Sequence, residues 1–296
     1  MAQILITGAG GQLGREFMHL KDLFPGLDLL SADRLTLDIA HPERVAAFFD
    51  RHRIDYCINC AAYTGVDKAE SEPAVARMVN VSAVESLALA CKATGTRMVH
   101  FSTDYVYHNH QNIPFKEDDP TSPQGVYART KLEGEQVALA LHEETMIIRT
   151  SWVYAAEGHN FLNTMLRLGG ERPLLGVVFD QVGTPTYACD LAQAVMTIID
   201  KKENGLIDNS LLKGVYHYSN EGVASWYDFA LAIFEIAGIH CKVNPIETKD
   251  FPTPAARPPF SVLNKAKIKA AFDLEIPHWR NALARCLHKK GTSLSL

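Results

Sequence analysis

Tyr127 and Lys131 stand four residues apart in Tyr127-Ala128-Arg129-Thr130-Lys131, the one Y-x-x-x-K among ten tyrosines. On a helix, positions i and i+4 share a face. An ammonium beside a phenol favours the phenolate, and such a tyrosine can exchange a proton with a carbonyl or alcohol oxygen. An exposed helix face also carries such pairs, so the motif needs context. Ser102-Thr103-Asp104 closes an apolar run at residues 97–102, where a hydroxyl would face a crevice at a strand's end. A strand-terminal turn favours the same residue types. Gly8, Gly11 and Gly14 follow Ile4-Leu5-Ile6 at G-x-x-G-x-x-G spacing, and an apolar-periodic segment begins at Leu13. Strand, glycine turn and helix start make a pyrophosphate site: glycine permits close backbone approach, and the helix N-terminus favours the charge. A lone glycine triplet is also an ordinary strand-to-helix turn. With a dinucleotide in place, Lys131 can hold the nicotinamide ribose. The three elements in this order are far less probable by coincidence than any one alone.

The elements that must position these groups alternate. Strand patterns at residues 27–31, 56–62, 97–102 and 146–150 are separated by helical patterns after Pro42, at 74–94 and at 126–141. Pro42 suits a first helical turn, and Gly95 suits a helix stop. This βαβα rhythm predicts an α/β fold, a Rossmann-type doubly wound parallel sheet with helices on both faces. Beyond residue 150 the rhythm loosens, and Pro252, Pro254, Pro258 and Pro259 crowd residues 251–259. The reading is a dinucleotide-binding domain over 1–152 and a smaller C-terminal substrate-binding domain over 153–296. The second lies over the carboxyl ends of the strands, with some of its segments returning to the sheet.

The 296 residues are 47% hydrophobic with a formal net charge of -5, which suits a globular core and gives no electrostatic reason for nucleic acid. No apolar run is read as a membrane span, and with the first strand at the start of the chain no leader or preceding domain is expected. Six cysteines without an export signal read as reduced thiols in a cytoplasmic protein. Cys57 and Cys60 form a C-x-x-C, but three residues apart on a strand they point to opposite faces, so they read as small buried hydrophobes. His108-Asn109-His110 reads as a solvated loop rather than a metal site.

The glycine loop, the strand-end Ser-Thr and the Y-x-x-x-K together resemble the extended short-chain dehydrogenases/reductases. Further blocks narrow the resemblance to the dTDP-4-dehydrorhamnose reductase family. They are Asn59-Cys60-Ala61-Ala62-Tyr63-Thr64-Gly65-Val66-Asp67-Lys68-Ala69-Glu70, residues 102–106, Arg149-Thr150-Ser151-Trp152-Val153-Tyr154, Asn160-Phe161, Asp180-Gln181-Val182-Gly183-Thr184-Pro185-Thr186 and Arg257-Pro258. The resemblance runs nearly end to end. It implies hydride transfer from NADPH or NADH to C4 of a nucleotide-linked 4-keto sugar, with Tyr127 protonating the oxyanion, Thr103 hydrogen-bonded to it, and Lys131 holding the ribose and tuning the tyrosine. It further implies Gly11, Gln12 and Leu13 at the pyrophosphate, Asp38 and Ile39 at the adenine, and Ala61, Ala62 and Tyr63 at the nicotinamide half. Thr103, Asp104, Trp152 and Asn160 would meet the sugar, and Arg257 the diphosphate through its forked donors.

Asp33, about 20 residues beyond the glycine loop, suits a ribose 2′-hydroxyl, while Arg34 or Arg15 suits a 2′-phosphate; use of both cofactors is expected. Some relatives are dimers that hold magnesium between carboxylates. Glu16 falls near one such position, but Cys189 stands where another carboxylate is expected, so no metal is assigned, and monomer and homodimer both stay open. A 4,6-dehydratase would carry Glu after the Thr-Asp, where Tyr105 stands. A nucleotide-sugar epimerase shares Thr, Tyr and Lys and would retain NAD. A non-catalytic subunit like the β subunit of methionine adenosyltransferase is the rival outside enzymes.

Overall fold

The structure is a computed structural model that describes residues 1–109 and 111–291; His110 of the expected loop lies outside the described residues. Six parallel strands form the central sheet: β1 Ala2–Thr7, β2 Leu27–Ala32, β3 Tyr56–Asn59, β4 Arg97–Thr103, β5 Thr145–Thr150 and β6 Gly214–His217. Their spatial order is β6-β5-β4-β3-β1-β2. The chain therefore reverses direction across the sheet between β1 and β3, the switch point at which doubly wound sheets open a crevice. β3 stops at Asn59, three residues before the expected end, so Cys60 to Ala62 form a loop over that crevice instead of strand.

Among the described residues the eight helices of eight or more residues are α1 Gln12–His19, α2 Pro42–Arg51, α3 Pro73–Thr94, α4 Gly125–Leu141, α5 Phe161–Glu171, α6 Ala188–Glu203, α7 Trp226–Ala237 and α8 Trp279–Lys289. Strand alternation divides the core. Ile4 and Ile6 face one side with Phe17 and the apolar face of α6, while Leu5 faces the other with Phe49, Leu87 and Ala138. Cys57 falls in the second layer, and Cys60, in the loop just past β3, packs against the first, so the two do lie on opposite faces. Helix α3 is one continuous segment whose middle, Met78–Ser82, is a π turn, and it ends at Gly95 in the left-handed conformation (φ 71°). By length and a mean hydropathy of 1.4, α3 meets the criteria of a membrane span, which the sequence reading did not find in any run. Its apolar side, through Val84, Leu87 and Cys91, packs into the chain's own core.

The half after residue 150 is interleaved with the sheet. β6 pairs in parallel with β5 (Gly214 opposite Met146), and α6 packs beside α1. A separate apolar cluster gathers Tyr154, Leu162, Phe229, Ile233 and Trp279. Small strand pairs join this cluster to the sheet ends: Val153–Tyr154 with Thr186–Tyr187, and Val182–Gly183 with Ala224–Ser225.

Candidate active site

The carboxyl ends of β1, β3, β4 and β5 open into a cavity of about 880 Å³. Gly11, Gln12, Leu13, Thr103, Tyr127, Lys131, Trp152 and Asn160 all line it. A second cavity of about 620 Å³, sharing Gly10, Gly11 and Ala62 with the first, is lined by Gly8, Asp33, Asp38, Ile39, Ala61 and Tyr63. Of the expected pyrophosphate residues, Gly11 lines both cavities, and Gln12 and Leu13 line the first. Arg34 lines the second cavity beside Asp33, whereas Arg15 lines the first and pairs with Glu157 at 3.3 Å, away from the Asp33 end.

The three glycines differ in task. At Gly8 (φ 63°) a Cβ would lie 2.7 Å from the Ala61 nitrogen, and at Gly14 2.5 Å from the Gly8 carbonyl oxygen. These two let the turn pack against the β3 loop and against α1. Gly14 lines neither cavity, so its expected place among the cofactor contacts is corrected to one of packing. At Gly11 a Cβ would meet only the Gly8 oxygen, at 3.1 Å. Gly11 opens α1 with no side-chain cap and no acidic residue in the first turn, which leaves the orphan N–H groups of the helix to an anion.

Helix α4 is held from outside its own sequence. Gln124 at its N-cap makes no side-chain bond; instead the Val126 N–H donates to Glu70 Oε1 at 2.7 Å. Gly125 suits the position because its φ of 76° lies in the left-handed region that side chains rarely adopt. Asn80, within the π turn, accepts from the Tyr63 N–H (2.9 Å) and donates to the Tyr63 carbonyl and to Thr130 Oγ1. The loop at Ala61–Tyr63 and the helix bearing Tyr127 are thus fixed to one side chain. A π turn at such a place is a common mark of function. Neither Glu70 nor Asn80 emerged from the sequence reading, although Glu70 ends one of the quoted blocks.

Tyr127 and Lys131 share a face of α4, but Lys131 does not reach the phenol as expected. Its Nζ donates to the Phe101 carbonyl at 2.6 Å and lies 3.4 Å from His100 Nε2. Burial pulls the Lys131 ammonium down to about 8, opposed by Glu135. Burial also dominates at Tyr127, pushing the phenol up to about 12 against a hydrogen bond from Thr103. The expected lowering by lysine is therefore absent: the cation is turned toward a carbonyl, and burial and the nearby Asp104 carboxyl both raise the phenol. Asp104 is buried, and its carboxyl is raised to about 7 by desolvation, against the hydroxyls of Ser261 and Thr103.

Two expected ligand residues have structural partners. Arg257 donates in fork fashion to Asp67 (3.0 and 2.7 Å) and lines neither cavity, so its guanidinium is not free for a diphosphate. It ties the proline-rich loop to the short helix Val66–Ala69. Arg257→Ala is expected to lower stability by roughly 0.5–1 kcal/mol, as for a partly exposed ion pair, and to leave dinucleotide affinity unchanged. Thermal melts of Arg257→Ala, Asp67→Asn and the double variant check this: in contact, the two losses should not add. Asn160 caps α5, accepting from the Asn163 N–H, and donates to Gln12 Oε1 at 2.7 Å, so the glycine turn is bolted to the second half of the chain.

The family model described as RmlD substrate binding domain matches residues 1–291. A dTDP-4-dehydrorhamnose reductase of Aggregatibacter actinomycetemcomitans is 41% identical, covering 96% of this chain and 97% of its own length. The chain belongs to the dTDP-4-dehydrorhamnose reductase family. The spore coat polysaccharide biosynthesis protein SpsK of Bacillus subtilis is 36% identical over 99% of both chains. Among solved structures, the dTDP-4-dehydrorhamnose reductase of Clostridium acetobutylicum superposes with TM-score 0.91 at 39% identity, covering 97% of this chain and 99% of that one. The Bacillus anthracis dTDP-4-dehydrorhamnose reductase in complex with NADP superposes with TM-score 0.90 at 35% identity, covering 98% and 99%. The UDP-glucose 4-epimerase of Brucella ovis (TM-score 0.81, 18% identity, all of both chains covered) shares the fold.

Magnesium, implied for some dTDP-4-dehydrorhamnose reductases, does not fit the donor set around Glu16. The buried Glu16 carboxylate accepts from Lys289 Nζ at 2.7 Å, and the Cys189 thiol beside it is raised by burial. A lysine ammonium already neutralises that carboxylate, and a thiol does not suit a cation that takes oxygen donors.

Proposed function

We propose that this chain reduces the C4 carbonyl of dTDP-4-dehydro-β-L-rhamnose to give dTDP-L-rhamnose, using NADPH or NADH, the last step in making dTDP-rhamnose for cell-surface polysaccharide. The observation that carries the reading is that the Tyr127 phenol and the Thr103 hydroxyl line the same cavity as the glycine turn. A reductase needs an acid at the carbonyl oxygen, and a phenol is protonated at neutral pH.

When bound, the nicotinamide cofactor supplies the hydride. The residues present fit it: the bare N-terminus of α1 with Gly11 suits the pyrophosphate, and Asp38 and Ile39 the adenine. Asp33 takes the Leu35 and Thr36 N–H groups and the Thr36 hydroxyl all on Oδ1, which leaves Oδ2 for a ribose hydroxyl. Arg34 beside it suits a 2′-phosphate. Thr103 and Tyr127 hold the C4 oxygen between two hydroxyls. As negative charge develops there, Tyr127 delivers its proton and Thr103 keeps its hydrogen bond. Lys131 reaches the ribose, and Asp104, Trp152 and Asn160 face the sugar. Tyr105, whose phenol burial raises and whose ring meets Tyr127 edge-on at 5.8 Å, offers no base for an elimination at C5.

Incubation with dTDP-4-dehydrorhamnose and NADPH, followed by loss of reduced-nicotinamide absorbance and by product identification, tests the reading. Purified protein carrying tightly held NAD and no net reduction would mean an epimerase instead.

The lysine yields a pH prediction. Around Lys131 lie neutral His100, the Phe101 carbonyl, Tyr127 and the Glu135–Arg149 ion pair. If its ammonium donates to the ribose, binding raises its pKa from about 8. The protonated lysine is then present below that value and lost above it. NADPH affinity should fall about tenfold between roughly pH 7 and 9 and stay flat in Lys131→Met. Calorimetric titration across this range checks it; an equal slope in both proteins would remove Lys131 from the ribose.

A further inference from the structure

We propose that Trp226 is a positioning residue for the sugar end of the cavity, fixing the Trp152 indole and completing with it an aromatic wall against the hexose. The inference rests on the reductase reading and goes beyond the residues that the family resemblance implies.

Trp152 is held where a free chain would not leave it. Its backbone sits at φ 46°, in the left-handed region that bulky residues avoid. Such a conformation persists only when the surroundings over-determine it, and it is concentrated at ligand sites. The surroundings are specific. The Trp152 and Trp226 rings lie 3.5 Å apart and within 5° of parallel. Gly183 makes room for the indole, since a Cβ there would be 2.7 Å from the Trp152 ring. The Trp152 carbonyl accepts from the Thr186 N–H at 3.1 Å, and the Ser151 hydroxyl donates to the Thr184 carbonyl at 2.8 Å.

Trp226 is itself anchored. It follows the Ser225 capping box of α7, whose strand pairing sets Ala224 opposite Gly183. Its Nε1–H donates to Gln181 Oε1 at 3.2 Å, and Gln181 Nε2 donates on to Thr248. Phe161 packs on it at 4.7 Å. Both indoles line the cavity that holds Thr103 and Tyr127, so the stack is built at the site and not in the core. A rigid aromatic wall suits the apolar face of a deoxyhexose. It also orders few torsions on binding, so the hexose meets a surface already in place.

The experiment compares wild type, Trp226→Ala and Trp226→Phe. Stacked indoles give an exciton couplet in far-UV circular dichroism, to which Trp279, packed against Phe229, does not contribute a partner. Trp226→Ala is expected to lose the couplet and to raise KM for dTDP-4-dehydrorhamnose about three- to tenfold, with NADPH affinity unchanged. Trp226→Phe, which keeps a flat ring, should restore KM to within about twofold. An unchanged KM in Trp226→Ala despite loss of the couplet overturns the proposal. So does a parallel loss of NADPH affinity, which would mark a structural role only, or a Phe variant as impaired as Ala. Wild-type protein that shows the couplet but neither reduces dTDP-4-dehydrorhamnose nor binds dTDP-L-rhamnose overturns the reductase reading itself and the hexose role with it.

Discussion

Tyr127→Phe is expected to cut turnover of dTDP-4-dehydrorhamnose by a factor of about 10²–10⁴ while leaving NADPH affinity near that of the wild type. The change removes one oxygen. The ring keeps its edge-on contact with Tyr105 and its place near the N-terminus of α4, so packing and the Glu70 cap are preserved. What is lost is the proton for the C4 oxygen, while the Thr103 hydroxyl keeps its bond to Asp104 at 3.2 Å. No neighbour can substitute. The Asp104 carboxyl is raised to about 7 but buried, and Lys131 is turned to the Phe101 carbonyl. Steady-state kinetics with calorimetric NADPH titration separates the chemical step from binding. Near-normal turnover would show that another group is the acid.

Substitutions in the glycine turn should fall into two kinds with opposite signatures. Gly11→Val is expected to weaken NADPH binding by about 10–100-fold, because charge-assisted hydrogen bonds from the turn and helix start are worth ~1.5–3 kcal/mol and the new branches occupy the approach to them. Its melting temperature should change little: the backbone at φ -78° suits any residue, and the added Cβ meets only one carbonyl oxygen. Gly14→Val should instead fail at folding, since its Cβ would lie 2.5 Å from the Gly8 oxygen and 2.7 Å from the Ala9 Cα, both backbone atoms that cannot yield cheaply. Melts and cofactor titrations on the two variants measure this. A stable Gly14→Val protein, or unchanged affinity in Gly11→Val, would contradict the division of labour between these glycines.

What the sequence by itself determined is whatever depends on spacing along the backbone. A helix turns every 3.6 residues and a strand alternates every two. Hence the shared face of Tyr127 and Lys131, the opposite faces of Cys57 and Cys60, the glycine turn and the five N-terminal strands were all readable from residue order. So was the family, since its motifs are contiguous blocks. The tertiary structure decided which groups are free to act. Arg257 looks like a diphosphate ligand until Asp67, 190 positions away, takes its fork. Lys131 looks like the modulator of the tyrosine until a backbone carbonyl on β4 captures its ammonium and burial sets the phenol. Glu70 caps α4 across 56 residues, and Gly183 and Trp226 hold Trp152 in a conformation its own segment would not adopt. β6 is too short, at four residues, to announce itself, and is recruited by the exposed edge of β5. In each case the deciding partner is distant in sequence, and pairing between distant groups follows from how the layers pack. No local periodicity encodes that packing.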